Sequence, residues 1–243
     1  SFLFQEKDSV HFQEFAKNED LFNKGNYPES LNNSLNLLKQ NISDRVKFRT
    51  NFLIAEIYRK NNNNFNSISY YKKALSSVYR DNDILDFEAK NITESQLSII
   101  FLKLGNEYLK NSQKDSAKFY YNQVISLVSL DDKTLSYQGS ALSNLSGIYM
   151  NDSLYNKAKD FVQEAIIIYN KLNSKTDQAT AKGNLSSIYL LEGNFEKAKE
   201  TYFEAIDLIK NINTDKALKI REDLYYNLAY NLYKLKDYTA YDY

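Results

Sequence analysis

Apolar side chains recur along this chain at helical spacing. Leu142, Leu145 and Tyr149 stand at i, i+3 and i+7, and Phe195, Ala198, Tyr202 and Ala205 run at i, i+3, i+7 and i+10. Polar residues fill the gaps, so each stretch predicts an amphipathic helix with one buried face. Gly25-Asn26 and Gly193-Asn194 read as helix stops, and Pro28 suits the first turn of the next helix. One Pro and six Gly in 243 residues are few breakers, which predicts a mostly helical chain.

The helical pattern is also periodic. "SNLSGIYMNDSLYNKAKDFVQEAIIIY" (143–169) and "GNLSSIYLLEGNFEKAKETYFEAIDLI" (183–209) share Asn-Leu-Ser, Ile-Tyr, Lys-Ala-Lys and Glu-Ala-Ile in order. Four tyrosines fall into line: Tyr58, Tyr108, Tyr149 and Tyr189. Small residues precede them (Ala55, Gly105, Ser146, Ser186), and others follow nine positions later (Ser67, Ala117, Ala158, Ala198). Seven further on stand Ala74, Val124, Ala165 and Ala205. A degraded copy runs through Leu21, Gly25, Tyr27, Ser30 and Leu37, and a last one begins at Leu228, Ala229 and Leu232. Small side chains let two antiparallel helices approach closely while large ones fill the space around the crossing.

This pattern resembles the tetratricopeptide repeat (TPR). The resemblance implies an all-α fold: a right-handed superhelix of about six helical hairpins, some twelve antiparallel helices in all. It covers the chain as a single array over 1–243, with repeats near 8–40, 43–80, 83–129, 131–172, 175–211 and a truncated 214–243. The tyrosines are separated by 50, 41 and 40 residues, longer than the usual period of about 34. That spacing is similar to the roughly forty-residue repeats of bacterial regulators in this superfamily and of kinesin light chains. The connection between Tyr79 and Leu104 is the longest, and it predicts an extended first helix of the third repeat starting near Asp83. The closing "YYNLAYNLYKLKDYTAYDY" resembles the last repeat of sensor portions of membrane-bound transcriptional regulators and histidine kinases of Bacteroidetes-type bacteria. There a membrane-spanning helix and a DNA-binding or kinase domain follow. The resemblance therefore implies an excised sensor domain, periplasmic, with the cytoplasm as the alternative. The rival reading is a scaffold or adaptor for assembly of an envelope or secretion complex.

Composition narrows the chemistry. Thirty-one basic and 31 acidic residues balance, so net charge points to no polyanion, and direct nucleic-acid binding by this segment is not expected. The absence of a long apolar run leaves membrane contact to missing C-terminal parts. Abundant Asn, Lys, Ile and Tyr fit an AT-rich bacterial genome. "SFLF" is either what remains beside a removed signal peptide or the edge of an excised piece. Without cysteine there are no disulfides or thiolate chemistry, and the single His11 has no visible nucleophile or ligand partners. No phosphate loop, dinucleotide turn or zinc-protease motif occurs. We expect no enzyme, no cofactor and no metal.

Binding is where the residues speak. Asn144, Asn184 and Asn227 occupy one position in consecutive repeats, each directly before a leucine (Leu145, Leu185, Leu228). By the resemblance this position faces the concave channel, where an amide that donates and accepts at once suits the backbone of an extended peptide. Lys103 and Leu53 replace it earlier. One turn on come Gly147, Ser187 and Tyr230, with Asn106 and Glu56 before them. Arg59, Lys60, Lys110, Asn151 and Lys234 stand near the inner-helix ends, as ligands for an acidic group or as solvated termini. Tyr226, Tyr230 and Tyr233 should line the channel, either as binding anchors or as cover for a missing C-terminal segment, with Tyr225 in the core. The expected partner is a peptide or protein segment in the concave groove. The apolar face of an incomplete last repeat allows a homodimer.

Overall fold

The computed structural model describes residues 2–80, 83–84, 93–128 and 131–235. Ser1 of the opening stretch and the closing Lys236–Tyr243 lie outside the described residues. The elements in order are α1 (Phe2–Asn23), α2 (Tyr27–Leu37), α3 (Asp44–Lys60), α4 (Asn64–Ser76), β1 (Tyr79–Arg80), β2 (Asp83–Ile84), α5 (Glu94–Lys110), α6 (Lys114–Ser126), α7 (Asp132–Asn151), α8 (Tyr155–Lys171), α9 (Lys175–Leu191), α10 (Phe195–Ile209) and α11 (Asp215–Leu235). The eleven helices among the described residues make the protein all-α, as the periodicity predicts. They fall into two compact units, Ser1–Tyr120 and Tyr121–Tyr243.

The repeat tyrosines set where each hairpin turns. The backbone N–H of Asn63, Gln113, Leu154 and Asn194 donates 2.9 Å to the carbonyl of Tyr58, Tyr108, Tyr149 and Tyr189 respectively. The residue before each donor is left-handed: Asn62 (φ 55°), Ser112 (φ 59°), Ser153 (φ 59°) and Gly193 (φ 77°). This double-bonded C-terminal turn satisfies carbonyls that a helix end would otherwise leave open. "NNNNF" is therefore a helix-stop turn. Helix starts are set by side-chain caps. Asp131 accepts from Thr134 N at 2.7 Å, and Thr93 forms a reciprocal capping box with Gln96.

That box corrects one expectation. The first helix of the third repeat does not begin near Asp83. Asp83–Ile84 instead pair antiparallel with Tyr79–Arg80, in the register Tyr79↔Ile84 and Arg80↔Asp83, and α5 starts at Glu94.

In unit 1, α1 packs on α2 and α3, α4 on α3 and α5, and Tyr108 of α5 stacks on Tyr120 at 5.4 Å. In unit 2, α7, α9 and α11 touch one another in turn, whereas α8 and α10 have no comparable contact. The crowded layer is the inside of a bend, so α7, α9 and α11 form the inner layer of this unit. Ala158, Ala165, Ala198 and Ala205 are wholly buried at the helix crossings. Ser146 Oγ donates 2.8 Å to the carbonyl of Ala158, a bond that requires the two backbones to be close. At Gly139 a Cβ would stand 2.8 Å from the Tyr169 ring, and at Gly183 2.7 Å from Leu224, so neither position takes a side chain without movement.

Repeat joins in unit 2 share one device. Gln138, Gln178 and Arg221 each lie eleven residues before the repeat position of Tyr149, Tyr189 and Leu232. Gln138 Nε2 donates to the carbonyls of Leu127 (2.8 Å), Ile125 (3.3 Å) and Val124 (3.4 Å). Gln178 Nε2 donates 3.0 Å to Tyr169, and the Arg221 guanidinium donates to the carbonyl of Lys210. Each inner helix thus reaches back over the end of the preceding outer helix.

Two outcomes follow from these turns and joins. Replacing Ser153, exposed and left-handed, with Gly should raise unfolding free energy by about 0.5–1 kcal/mol in denaturant titration. No gain would show that the turn carries no strain. Gln138→Ala should cost about 1–3 kcal/mol, since it strips buried carbonyls of a donor. The same change at exposed Gln163 should stay within about 0.5 kcal/mol.

Candidate functional site

The inner layer of unit 2 carries the amide series. Leu145 and Leu228 are wholly buried and Leu185 nearly so, which holds the preceding Asn144, Asn184 and Asn227 half-buried at the margin of the core. The three amides are not equivalent. Asn144 shares a hydrogen bond with the buried Tyr121 hydroxyl. Burial pushes that phenol well above its ordinary value, and the Asn144 bond offsets part of the rise. Asn184 and Asn227 have no such partner among the described residues. Ser187 is also engaged, donating 3.0 Å to the carbonyl of Gly183, with the Tyr202 hydroxyl 3.0 Å from its Oγ.

The cause lies one helix away. Tyr71, Tyr121 and Tyr202 occupy the same outer-helix position, four residues after Ser67, Ala117 and Ala198, and all three are wholly buried. Their hydroxyls meet Glu56, Asn144 and Ser187. The fourth repeat places buried Val162 there, so no hydroxyl rises toward Asn184. One turn beyond Asn227 the wall becomes aromatic. Tyr226, Tyr230 and Tyr233 are 76%, 50% and 70% exposed, and Lys234 lies 5.2 Å from the Tyr230 ring centroid. Tyr225 is half-buried against the core. Asn151 is exposed at the end of α7.

Asn106 and Lys110 belong to unit 1, apart from that group. Asn106 is half-buried and engaged, and Lys110 pairs at 2.7 Å with Glu107, a wholly buried carboxylate. The strongest charge cluster in unit 1 centres on Glu56, which pairs with Arg59 at 2.6 Å and Lys103 at 3.5 Å and accepts from the Tyr71 hydroxyl. Sequence reading placed Glu56, Arg59 and Lys103 one by one. It missed the cluster, because only the fold brings Tyr71 and Lys103 to the same carboxylate. Burial pushes the Glu56 carboxyl up, but the Arg59 hydrogen bond, Lys103 and Tyr71 outweigh it and hold the group below its ordinary 4.5. Among the described residues no cluster of His, Asp or Glu has the geometry of a metal site.

Because Glu56 is more acidic folded than unfolded, its contribution is full above the unfolded value and is lost as pH falls through the folded one. The stability gap between wild type and Glu56→Gln should therefore be wide near about pH 7 and should narrow toward about pH 3 in denaturant titrations. A gap independent of pH would place the cost of that substitution in packing.

Models of the tetratricopeptide repeat match residues 48–77, 100–127 and 137–211, which are α3/α4, α5/α6 and α7 to α10. No curated protein matches the sequence. Among solved structures the chain is similar to BtubC (BKLC) from P. vanneervenii, with 14% identity and TM-score 0.65 over 98% of this chain and 86% of that one. It is similar to YrrB, described as a TPR protein with an unusual peptide-binding site, with 16% identity and TM-score 0.54 over 90% and 97% of the two chains. NprR, solved in complex with its cognate peptide NprX, matches with 14% identity and TM-score 0.60 over 95% of this chain and 63% of its own length. Identities this low establish shared architecture. Repeat models covering just over half the residues, laid hairpin for hairpin on the helices, establish that the chain belongs to the tetratricopeptide-repeat family.

Proposed function

We propose that this protein is a non-enzymatic binding module whose inner face in unit 2 takes an extended peptide or protein segment. The observation that carries the reading is the state of Asn184 and Asn227: half-buried amides in register, without internal partners among the described residues, the second on the same helix as the exposed Tyr226, Tyr230 and Tyr233. A peptide backbone offers each amide a donor and an acceptor, and the tyrosines offer rigid area for side chains. Ser187 and Asn144, already engaged, shape the groove wall and supply less binding energy. The peptide-binding site named for YrrB and the peptide bound to NprR support the same mode.

The finer reading makes this the sensor part of a bacterial transcriptional regulator or signalling protein, working in the periplasm. It is supported by the resemblance of the closing stretch and is tested by reading the codons beyond Tyr243. An apolar span followed by a DNA-binding or kinase domain sustains it, and a stop codon there favours the adaptor.

For binding itself, a random peptide library displayed on phage is selected on the purified chain. The enriched peptide is then titrated calorimetrically against wild type and Asn184→Ala/Asn227→Ala. Affinity should fall about tenfold or more, with the melting temperature nearly unchanged, since two hydrogen bonds of about 1 kcal/mol each are lost. Full affinity in the double variant would remove the amides from the site.

A further inference from the structure

Unit 1 holds a cavity of about 390 Å³ bounded by α1, α3 and α5. That volume suits a small molecule. Most of its wall is apolar, from the buried Phe15 and Phe48 and the half-buried Phe52 and Ile99. The polar part of the lining is unevenly satisfied. Glu56 already holds Arg59, Lys103 and the Tyr71 hydroxyl. Arg49 has no paired carboxylate among the described residues, although it is half-buried on the same wall. Burial lowers the pKa of its guanidinium below the ordinary value, Arg45 lowers it further, and Glu19 alone acts the other way. Arg45 and Arg49 both lie over the Phe12 ring, at 4.6 and 5.3 Å from its centroid, and the buried Nε of Arg45 finds no acceptor among the described residues. The Arg49 guanidinium on the wall of this apolar hollow, with the Arg45 guanidinium at the same Phe12 ring, forms an electrostatic demand that one anion would meet.

We propose that this cavity binds a small carboxylate with an apolar tail, the tail lying among Phe15, Phe48 and Phe52 and the carboxylate paired with Arg49. A singly charged planar group matches the guanidinium fork. The carboxylates of Glu19 and Glu56 on the same lining disfavour a dianion such as a phosphate monoester. The site uses no residue of unit 2, so it stands or falls separately from the peptide groove.

The test is a ligand-observed NMR titration of the whole chain with 3-phenylpropanoate and with 3-phenylpropanamide, its neutral analogue of the same shape. The acid should bind at least about tenfold more tightly than the amide, as a charge-assisted hydrogen bond implies. Arg49→Gln should abolish that difference, and Asn184→Ala/Asn227→Ala should leave it intact. The tripeptide Gly-Gly-Phe carries the same terminal group. Whichever of it and the free acid binds more tightly identifies the source as a peptide end or a free metabolite. Equal binding of acid and amide, no binding of either, or a preference that persists in a folded Arg49→Gln overturns the proposal. The acid–amide comparison on wild type decides the matter even if the variant fails to fold.

Discussion

In unit 2 the end of every outer helix is finished by the helix that follows it. Carbonyls at the last turns of α6, α8 and α10 accept from Gln138, Gln178 and Arg221, which come from the next repeat. A helix cannot satisfy its own last carbonyls, and a hairpin of two short helices cannot bury its own apolar face. Both shortfalls are met by the same neighbour. The polar join fixes the axial register of one repeat on the next, and the leucines and alanines behind it supply the burial. A repeat that slipped along its neighbour by one turn would lose donor and packing together. The arrangement is therefore specified more sharply than hydrophobic contact alone would specify it.

The repeat was legible in the sequence because its signals are local. A tyrosine two residues before the helix end, a small residue three positions before it and another nine after all lie within one hairpin, at offsets a single chain displays. The turns were legible for the same reason, since Gly193 and the asparagines of 61–64 announce a left-handed residue. The joins were less so. Gln138 and Gln178 sit at the same offset and could have been found by extending the alignment one turn backward. The eye discounts a glutamine, though, because most are exposed and only the fold buries these two. Arg221 keeps the role with a different side chain, which hides the repetition further. The pairing of Tyr79–Arg80 with Asp83–Ile84 was not legible, because a long gap between repeats suits an extended helix equally well.

The amide series was legible in its register along the helices but not in its state. Asn144, Asn184 and Asn227 read as three copies of one feature, and in sequence they are. What separates them is a residue on another helix, at the outer-layer position held by Tyr71, Tyr121, Val162 and Tyr202. A buried tyrosine must place its hydroxyl against a polar group, and the nearest polar groups stand on the inner helix. Wherever tyrosine fills this core position, an inner-face polar residue is drawn into an internal bond. Where valine fills it, the inner-face amide stays available.

Core composition therefore sets which inner-helix polar groups are engaged internally. A change at Val162 would alter the surroundings of Asn184, and one at Tyr121 would remove the internal bond of Asn144. The same logic explains the charge cluster of unit 1. There the tyrosine at this position is Tyr71 and the polar residue it meets is Glu56, already drawn between Arg59 and Lys103. The carboxylate is spent on internal partners, and Arg49, one wall of the neighbouring cavity, is left without one among the described residues. Two parts of the molecule thus reach opposite outcomes by one rule. Each buried hydroxyl or carboxylate that finds its match inside removes a candidate from the surface, and the groups left over define what a ligand must bring.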